Sequence, residues 1–317
     1  MNRRVFLSSL TAGAVSGLAG CSALSSFGSE NNQNLLMDEH IISESYDYTE
    51  LETEDLPQKG GNNYGVSELE NLPTVITRDN DGESALHPVA TARHLLSLLE
   101  MYRADNDNRY RNKAREVAEA FVERSIKHDG GIYFPYEFTF PNGVYTFGKP
   151  WYSGMAQGIA LSAYTRGYVE SEDEWYQNRA DEIFETLVTF PSDRDTKPWV
   201  VAIDEKGYYW IEEYPKPTLI HTLNGFNFAI WGIYEYWLLN QSELPKRALD
   251  ASITTIKNHL QDYRRPNKTS RYWLGATHSN TVKYHNIHIQ QLRTLYDLTN
   301  DHYFQMMAQV FEDDIQS

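Results

Sequence analysis

From Pro88 to the C-terminus, apolar residues recur mostly at the spacing of amphipathic helices. Pro88 to Tyr102 places Val89, Ala92, Leu95, Leu96 and Leu99 on one face, and Pro88 suits a first helical turn. Tyr110 to Ile126 follows with Ala114, Val117, Phe121 and Val122, so the two segments predict a helical pair. After Asp129-Gly130-Gly131 the pattern alternates, and Ile132 to Phe147, turning at Pro141-Asn142-Gly143, predicts a β-hairpin. Ser153 to Tyr168 and Glu174 to Phe190 predict a second pair. A second hairpin, Trp199 to Ile203 with Tyr208 to Ile211, turns at Glu205-Lys206-Gly207. Thr222 to Leu239 with Pro245 to Tyr263 reads as the third pair, and His285 to Leu298 with His302 to Phe311 as the fourth. A third extended piece lies near Ser270 to Leu274. The pairs start near residues 88, 153, 222 and 285, a spacing of about 65 residues. Repeated units of this kind predict a mainly α fold, an α/α toroid of about four helical hairpins with short β-hairpins at one mouth. Functional side chains favour loops carried on such a scaffold.

The N-terminus departs from this pattern. Asn2-Arg3-Arg4-Val5-Phe6-Leu7 looks like a twin-arginine export signal, and Leu18-Ala19-Gly20-Cys21 resembles a lipobox. The intervening apolar run is too short and too rich in Gly, Ser and Ala to span a bilayer. Residues 1–20 are therefore expected to be a signal peptide, with Cys21 the lipidated first residue, anchored to the outer face of the cytoplasmic membrane. Between Ser22 and Gly60 stand nine acidic residues against Lys59, with six Ser, so residues 21–65 are expected to form a solvated flexible tether. The catalytic domain is then expected over 66–317.

Charge narrows the function. The chain of 317 residues carries 28 basic and 44 acidic side chains, a net charge of −16. Losing Arg3 and Arg4 with the signal leaves 26 against 44, or −18. Such a balance argues against nucleic-acid binding. A single Cys excludes an intrachain disulfide and a Cys-built metal site. Aromatics reach 13%, which suits a groove that stacks on sugars and equally suits a large helical core.

Three clusters on or beside the loops carry candidate chemistry. They are Trp151-Tyr152-Ser153-Gly154-Met155-Ala156-Gln157-Gly158; Glu212-Glu213-Tyr214-Pro215, followed by Leu223-Asn224-Gly225-Phe226; and Arg271-Tyr272-Trp273 with Tyr284-His285-Asn286-Ile287-His288. Singly, each has a structural reading: packing, a solvated strand end, a tight helix start, hydrogen-bonded histidines. His285 and His288 share a helical face, but no HExxH or Cys partner accompanies them, and no metal is expected. No Gly-rich dinucleotide fingerprint is present, and no cofactor is expected.

Taken together, these motifs resemble the C-terminal domain of the glucuronyl C5-epimerases that act on heparosan-type chains. The likeness runs in order from about Pro88 to the C-terminus. It implies an α/α barrel and chemistry at C5 of a hexuronate within a polysaccharide, hence an isomerase. It also implies catalytic roles for Glu213, Tyr214, Tyr272 and Tyr284. Trp151, Tyr152, Gln157, Asn224, Arg271, His285 and His288 are the expected substrate-binding residues. The family's arginine three residues beyond Tyr272 is replaced by Gly275, and a basic lining is instead expected from Arg264, Arg265, Arg271, Lys283 and His285. The expected partners are an anionic uronate-containing glycan and, through the lipid, the membrane. Three alternatives stay open: a polysaccharide lyase at the same site; an α/α-barrel glycoside hydrolase pairing Glu213 with Asp204 or Glu137; and an inactive sugar-binding protein.

Overall fold

Four αα-hairpins follow one another along the chain. They are α1 (Pro88–Asp105) with α2 (Asn108–Glu123), α3 (Gly154–Ser171) with α4 (Glu174–Glu185), α5 (Leu223–Asn240) with α6 (Glu243–Tyr263), and α7 (Val282–Thr299) with α8 (His302–Gln316). The structure is a computed structural model that describes residues 36–38, 40–80, 82–142, 145–275 and 280–316. Arg3, Arg4 and Cys21 lie outside the described residues.

One local device makes every hairpin. The first helix of each pair ends at a left-handed residue: Asn106 (φ 53°), Glu172 (φ 57°), Gln241 (φ 47°) or Asn300 (φ 53°). That conformation satisfies the last carbonyls and reverses the chain. The next residue is Asp107, Asp173, Ser242 or Asp301, types that favour the start of a new helix. Asp107 and Asp173 accept from the amides of Arg109 and Trp175, each at 2.9 Å.

Burial sorts the helices into two layers. Nearly every side chain of α3 and α5 is buried, so these helices are enclosed on all sides, whereas α2 and α4 keep one polar face in water. α1 packs on α3, α3 on α5 and α5 on α7, with α2, α4, α6 and α8 outside. α3 and α5 approach most closely at Gly158 and Gly232. A Cβ on Gly232 would lie 2.0 Å from the Gly158 carbonyl oxygen. The result is the α/α-toroid arrangement, although among the described residues no comparable packing joins α7 back to α1.

Short antiparallel hairpins precede the inner helices: β1 (Thr77–Asn80) with β2 (Glu83–Leu86) before α1, and β7 (Val201–Ile203) with β8 (Tyr209–Ile211) before α5. Before α3 the expected single hairpin is two, β3 (Ile126–His128) with β4 (Gly131–Tyr133) and β5 (Phe140–Asn142) with β6 (Tyr145–Phe147). The turn at Asp129 and Gly130 takes positive φ and pairs β3 back on β4, so α2 stops at Glu123 instead of reaching Ile126. The piece near Ser270 makes one bridge, Thr222 to Trp273. The extended pieces thus gather at the N-terminal ends of the inner helices.

The tether expectation is corrected from Leu36 onward. Leu36, Ile41, Tyr46 and Leu56 are buried in the main core. This strap crosses the opposite end of the toroid. The Thr49 amide donates to the Leu298 carbonyl (2.8 Å), the Leu51 amide to Tyr234 Oη (3.0 Å), and the Asn62 amide to Ser97 Oγ (3.1 Å). Its acidic residues are partly matched, as in Glu44 with Lys257 at 2.7 Å. Arg166 of α3 ties it to the helices, donating to Glu235 (2.7 Å twice) and to the Gln58 carbonyl (2.5 Å).

Candidate active site

The first turns of all four inner helices line one cleft of about 480 Å³: Val89 and Arg93 from α1, Met155 from α3, Asn224 and Phe228 from α5, Tyr284 and Ile287 from α7. Glu213, Tyr214, Trp151 and Tyr272 enter it from the loops. A larger groove lies between residues 66–70 and α2, but it is lined by Val66, Leu69 and side chains of mixed charge and by none of the chemistry above.

Glu213 follows β8, and the preceding residue fixes its loop. Glu212 is fully buried and accepts from the amides of Ile220 (3.1 Å) and His221 (3.2 Å) and from His221 Nδ1 (2.7 Å). Glu213 therefore turns against the start of α5, where Gly225 leaves room for it. A Cβ at Gly225 would sit 2.3 Å from Glu213 Oε2. Tyr272 Oη donates to Glu213 at 3.2 and 3.3 Å, and the Tyr272 ring lies 4.8 Å from Tyr284. Tyr214 stacks on Phe140 (5.9 Å) and meets the neighbouring Phe147 ring at a tilt (5.3 Å). The four expected catalytic residues thus form one contiguous cluster.

Electrostatics divide their roles. Burial pushes the Glu213 carboxyl from 4.5 up to about 7; hydrogen bonds from Tyr214 and Tyr272 oppose this and the Glu212 charge adds to it. Burial, reinforced by the Glu213 charge, raises the phenols of Tyr214, Tyr272 and Tyr284. Near neutrality the cluster holds one carboxyl poised to exchange a proton and three phenols that keep theirs.

The expected binding residues divide. Trp151 lines the cleft, stacked on Tyr136 at 3.8 Å with Nε1 donating to the Phe138 carbonyl, and Asn224 lines it beside Tyr272. Five others do not line it. Tyr152 packs edge-on against Tyr133 in the core. Gln157 satisfies the Phe134 amide, the Ile132 carbonyl and Thr186. His285 takes the Ser270 amide on Nδ1 and meets the Phe311 carbonyl through Nε2, and His288 is buried against Ser270 Oγ, its pKa lowered by burial to about 3. Arg271 donates its amide to the Tyr263 carbonyl outside the cleft. Of the expected basic lining, Lys283 alone reaches the cleft; Arg264 pairs with Asp314 at 2.8 Å. The cations missed are Arg78 on β1, over the Phe138 ring at 5.0 Å, and Arg93 on α1, over Phe228 at 5.1 Å, with His87 beside them. The turn pair Asp81-Gly82 was the signal for the hairpin that presents Arg78.

Glu213 is the one carboxylate among the described lining residues. Asp204 accepts from Trp210 Nε1 and its own turn, and Glu137 pairs with Arg124, so neither faces Glu213. The carboxylate pair of a glycoside hydrolase is not assembled.

A family model described as D-glucuronyl C5-epimerase C-terminus matches residues 128–313. The D-glucuronyl C5-epimerase of Caenorhabditis elegans is 29% identical over 146 residues, 46% of this chain and 22% of that protein, so the chain spans a minor part of that relative. Among solved structures, a sugar epimerase from a ruminal bacterium is similar with TM-score 0.54 and 16% identity, over 74% of this chain and 60% of that one. An unsaturated glucuronyl hydrolase from Streptococcus agalactiae gives 0.50 and 12%, over 79% and 61%. These two likenesses bear on the fold alone, an α/α toroid. With more than half of its length matched by the family model, the chain belongs to the D-glucuronyl C5-epimerase C-terminal family.

Proposed function

We propose that the protein inverts C5 of hexuronate residues, glucuronate to iduronate in type, within a polysaccharide or surface glycan. The observation that carries this reading is Glu213, a buried carboxyl whose pKa is raised to about 7, ringed by three protonated tyrosines in a cleft that also holds Arg78, Arg93 and Lys283. Glu213 takes the C5 proton on one face of the sugar, and the electron pair moves into the substrate carboxylate as an enediolate. That charge needs cationic or hydrogen-bonding neighbours, which Arg93, Arg78, Lys283 and Asn224 supply. Tyr284 gives its phenolic proton to C5 on the other face. The proton on Glu213 then passes to the tyrosinate through Tyr272, which touches both, and these acidic groups exchange with solvent between turnovers. Phe140, half-buried at the cleft and backed by Trp151, offers an aromatic surface for the chain of sugars.

Product analysis tests this against elimination. Incubation with heparosan should yield inverted uronate at unchanged chain length. Chain shortening with new ultraviolet absorbance from unsaturated uronate would make the protein a lyase instead. The N-terminal motifs support an exported enzyme anchored through Cys21. Cys21→Ser should move it from the membrane to the soluble fraction with its activity unchanged; continued membrane retention would remove the anchor.

A further inference from the structure

Arg78, Arg93 and Lys283 all line the cleft, and burial separates them. Arg78 on β1 and Lys283 at the start of α7 are exposed, so water and salt screen their charge. Arg93 of α1 is half-buried and reaches over to α5, where its Cζ lies 5.1 Å from the centre of the Phe228 ring. Its Nη1 donates to the Lys59 carbonyl of the strap at 3.4 Å. The guanidinium is thus held from two sides, and a guanidinium over a ring keeps its N–H fork for an anion. Among the described residues no carboxylate lies within ion-pair distance of Arg93, although acidic side chains outnumber basic ones 44 to 28. The acidic side chain that does act on it, Glu100, is already engaged by Arg166 (3.3 Å) and the Gly60 amide (3.2 Å). A half-buried cation without an ion pair costs stability unless its place serves to hold an anion. Phe228 stands one turn beyond Asn224 on the same face of α5, Asn224 hydrogen-bonds Tyr272, and Tyr272 donates to Glu213. Arg93 therefore lies on the floor of the cleft, one helical turn further into the toroid than the proton-transfer cluster.

We propose that Arg93 reads the carboxylate of the reacting sugar, pairing with it from the floor of the cleft, and thereby selects uronates over neutral hexoses. The same pairing opposes the charge that grows on that carboxylate as the enediolate forms. Arg78 and Lys283 steer an anionic polymer toward the cleft without deciding which sugar sits at the reaction centre. The inference rests on the epimerase reading above and adds to it which cation sets the substrate class.

The test uses the full-length protein and measures binding, by calorimetry, of hexasaccharides from heparosan, polygalacturonate and alginate. Each is offered in its acid form and with its carboxyls reduced to alcohols. Wild type should hold at least one acid form about tenfold or more tighter than its reduced counterpart. Arg93→Gln should erase that preference, weakening the acid form by a similar factor and leaving the reduced form within about twofold. The loss should persist in about 0.5 M salt, whereas the roughly threefold losses expected of Arg78→Gln and Lys283→Gln should fade there. Arg93→Lys keeps the charge without the fork and should recover only part of the preference. A preference retained in Arg93→Gln, an equal weakening of both forms, or a wild type that prefers no acid form overturns the assignment. Should circular dichroism show Arg93→Gln unfolded, Arg93→Lys carries the test, and a full wild-type preference in it overturns the assignment. A preference lost in Arg93→Gln, with no C5 exchange by wild type on any of the three, leaves Arg93 as the carboxylate reader and removes the epimerase reading.

Discussion

Glu213→Gln should abolish C5 exchange and at the same time raise the melting temperature above pH 7. The first effect follows from removing the proton acceptor, which typically lowers rate by about 10²–10⁴-fold. The second follows from linkage. The carboxyl has a pKa near 4.5 in the unfolded chain and about 7 in the folded one, so the folded state holds a proton that the unfolded state has released. Stability is therefore lost as pH rises from 4.5 to 7, and above that window the ionised, buried carboxylate costs about 3 kcal/mol. Gln keeps the volume and removes that cost. The same ionisation shapes catalysis: kcat/KM of the wild type should rise through an acid limb near pH 7. The raised phenols add no falling limb in the neutral range. Activity of Glu213→Gln within a few-fold of wild type, or a variant less stable at pH above 7, would remove Glu213 from its role.

Arg166→Met should destabilise the fold by about 3–5 kcal/mol, because it leaves Glu235, which is 0% exposed, as a buried charge without its partner. For a domain of this size that is roughly a 10 °C loss in melting temperature. It also removes the donor to the Gln58 carbonyl, so proteolysis within residues 36–64 should accelerate in step. The double variant Arg166→Met/Glu235→Leu should recover most of the loss, since an apolar pair replaces an ion pair without a stranded charge. A single variant as stable as wild type would show that the strap is not held through this residue.

Helical periodicity made the four pairs legible, because both layers bury at least one apolar stripe. The strap was not legible: Leu36, Ile41, Tyr46 and Leu56 are single anchors among acidic residues, with no period to detect. β1 and β2 escaped for a related reason, since Thr77-Arg78-Asp79-Asn80 has no apolar alternation. Within the site, Glu213, Tyr214, Tyr272 and Tyr284 were singled out through their motifs, and the structure brings them together in one cleft. His285 and His288, expected to bind substrate, do not line the cleft, because motif position does not state which way a helix turns. Tyr284 and Ile287 face the cleft, and residues one position further on are rotated by about 100° toward Ser270 and Phe311. Gln157 likewise looked like a ligand group, yet buried carbonyls and amides of the preceding hairpin consume it.

The most direct measurement is NMR of heparosan incubated with the wild-type protein in deuterated water. Proton removal by Glu213 and return from Tyr284 predict deuterium at C5 in the inverted residues, with the polymer intact. Inversion that retains the original C5 hydrogen, or turnover with no deuterium at C5, would contradict the account.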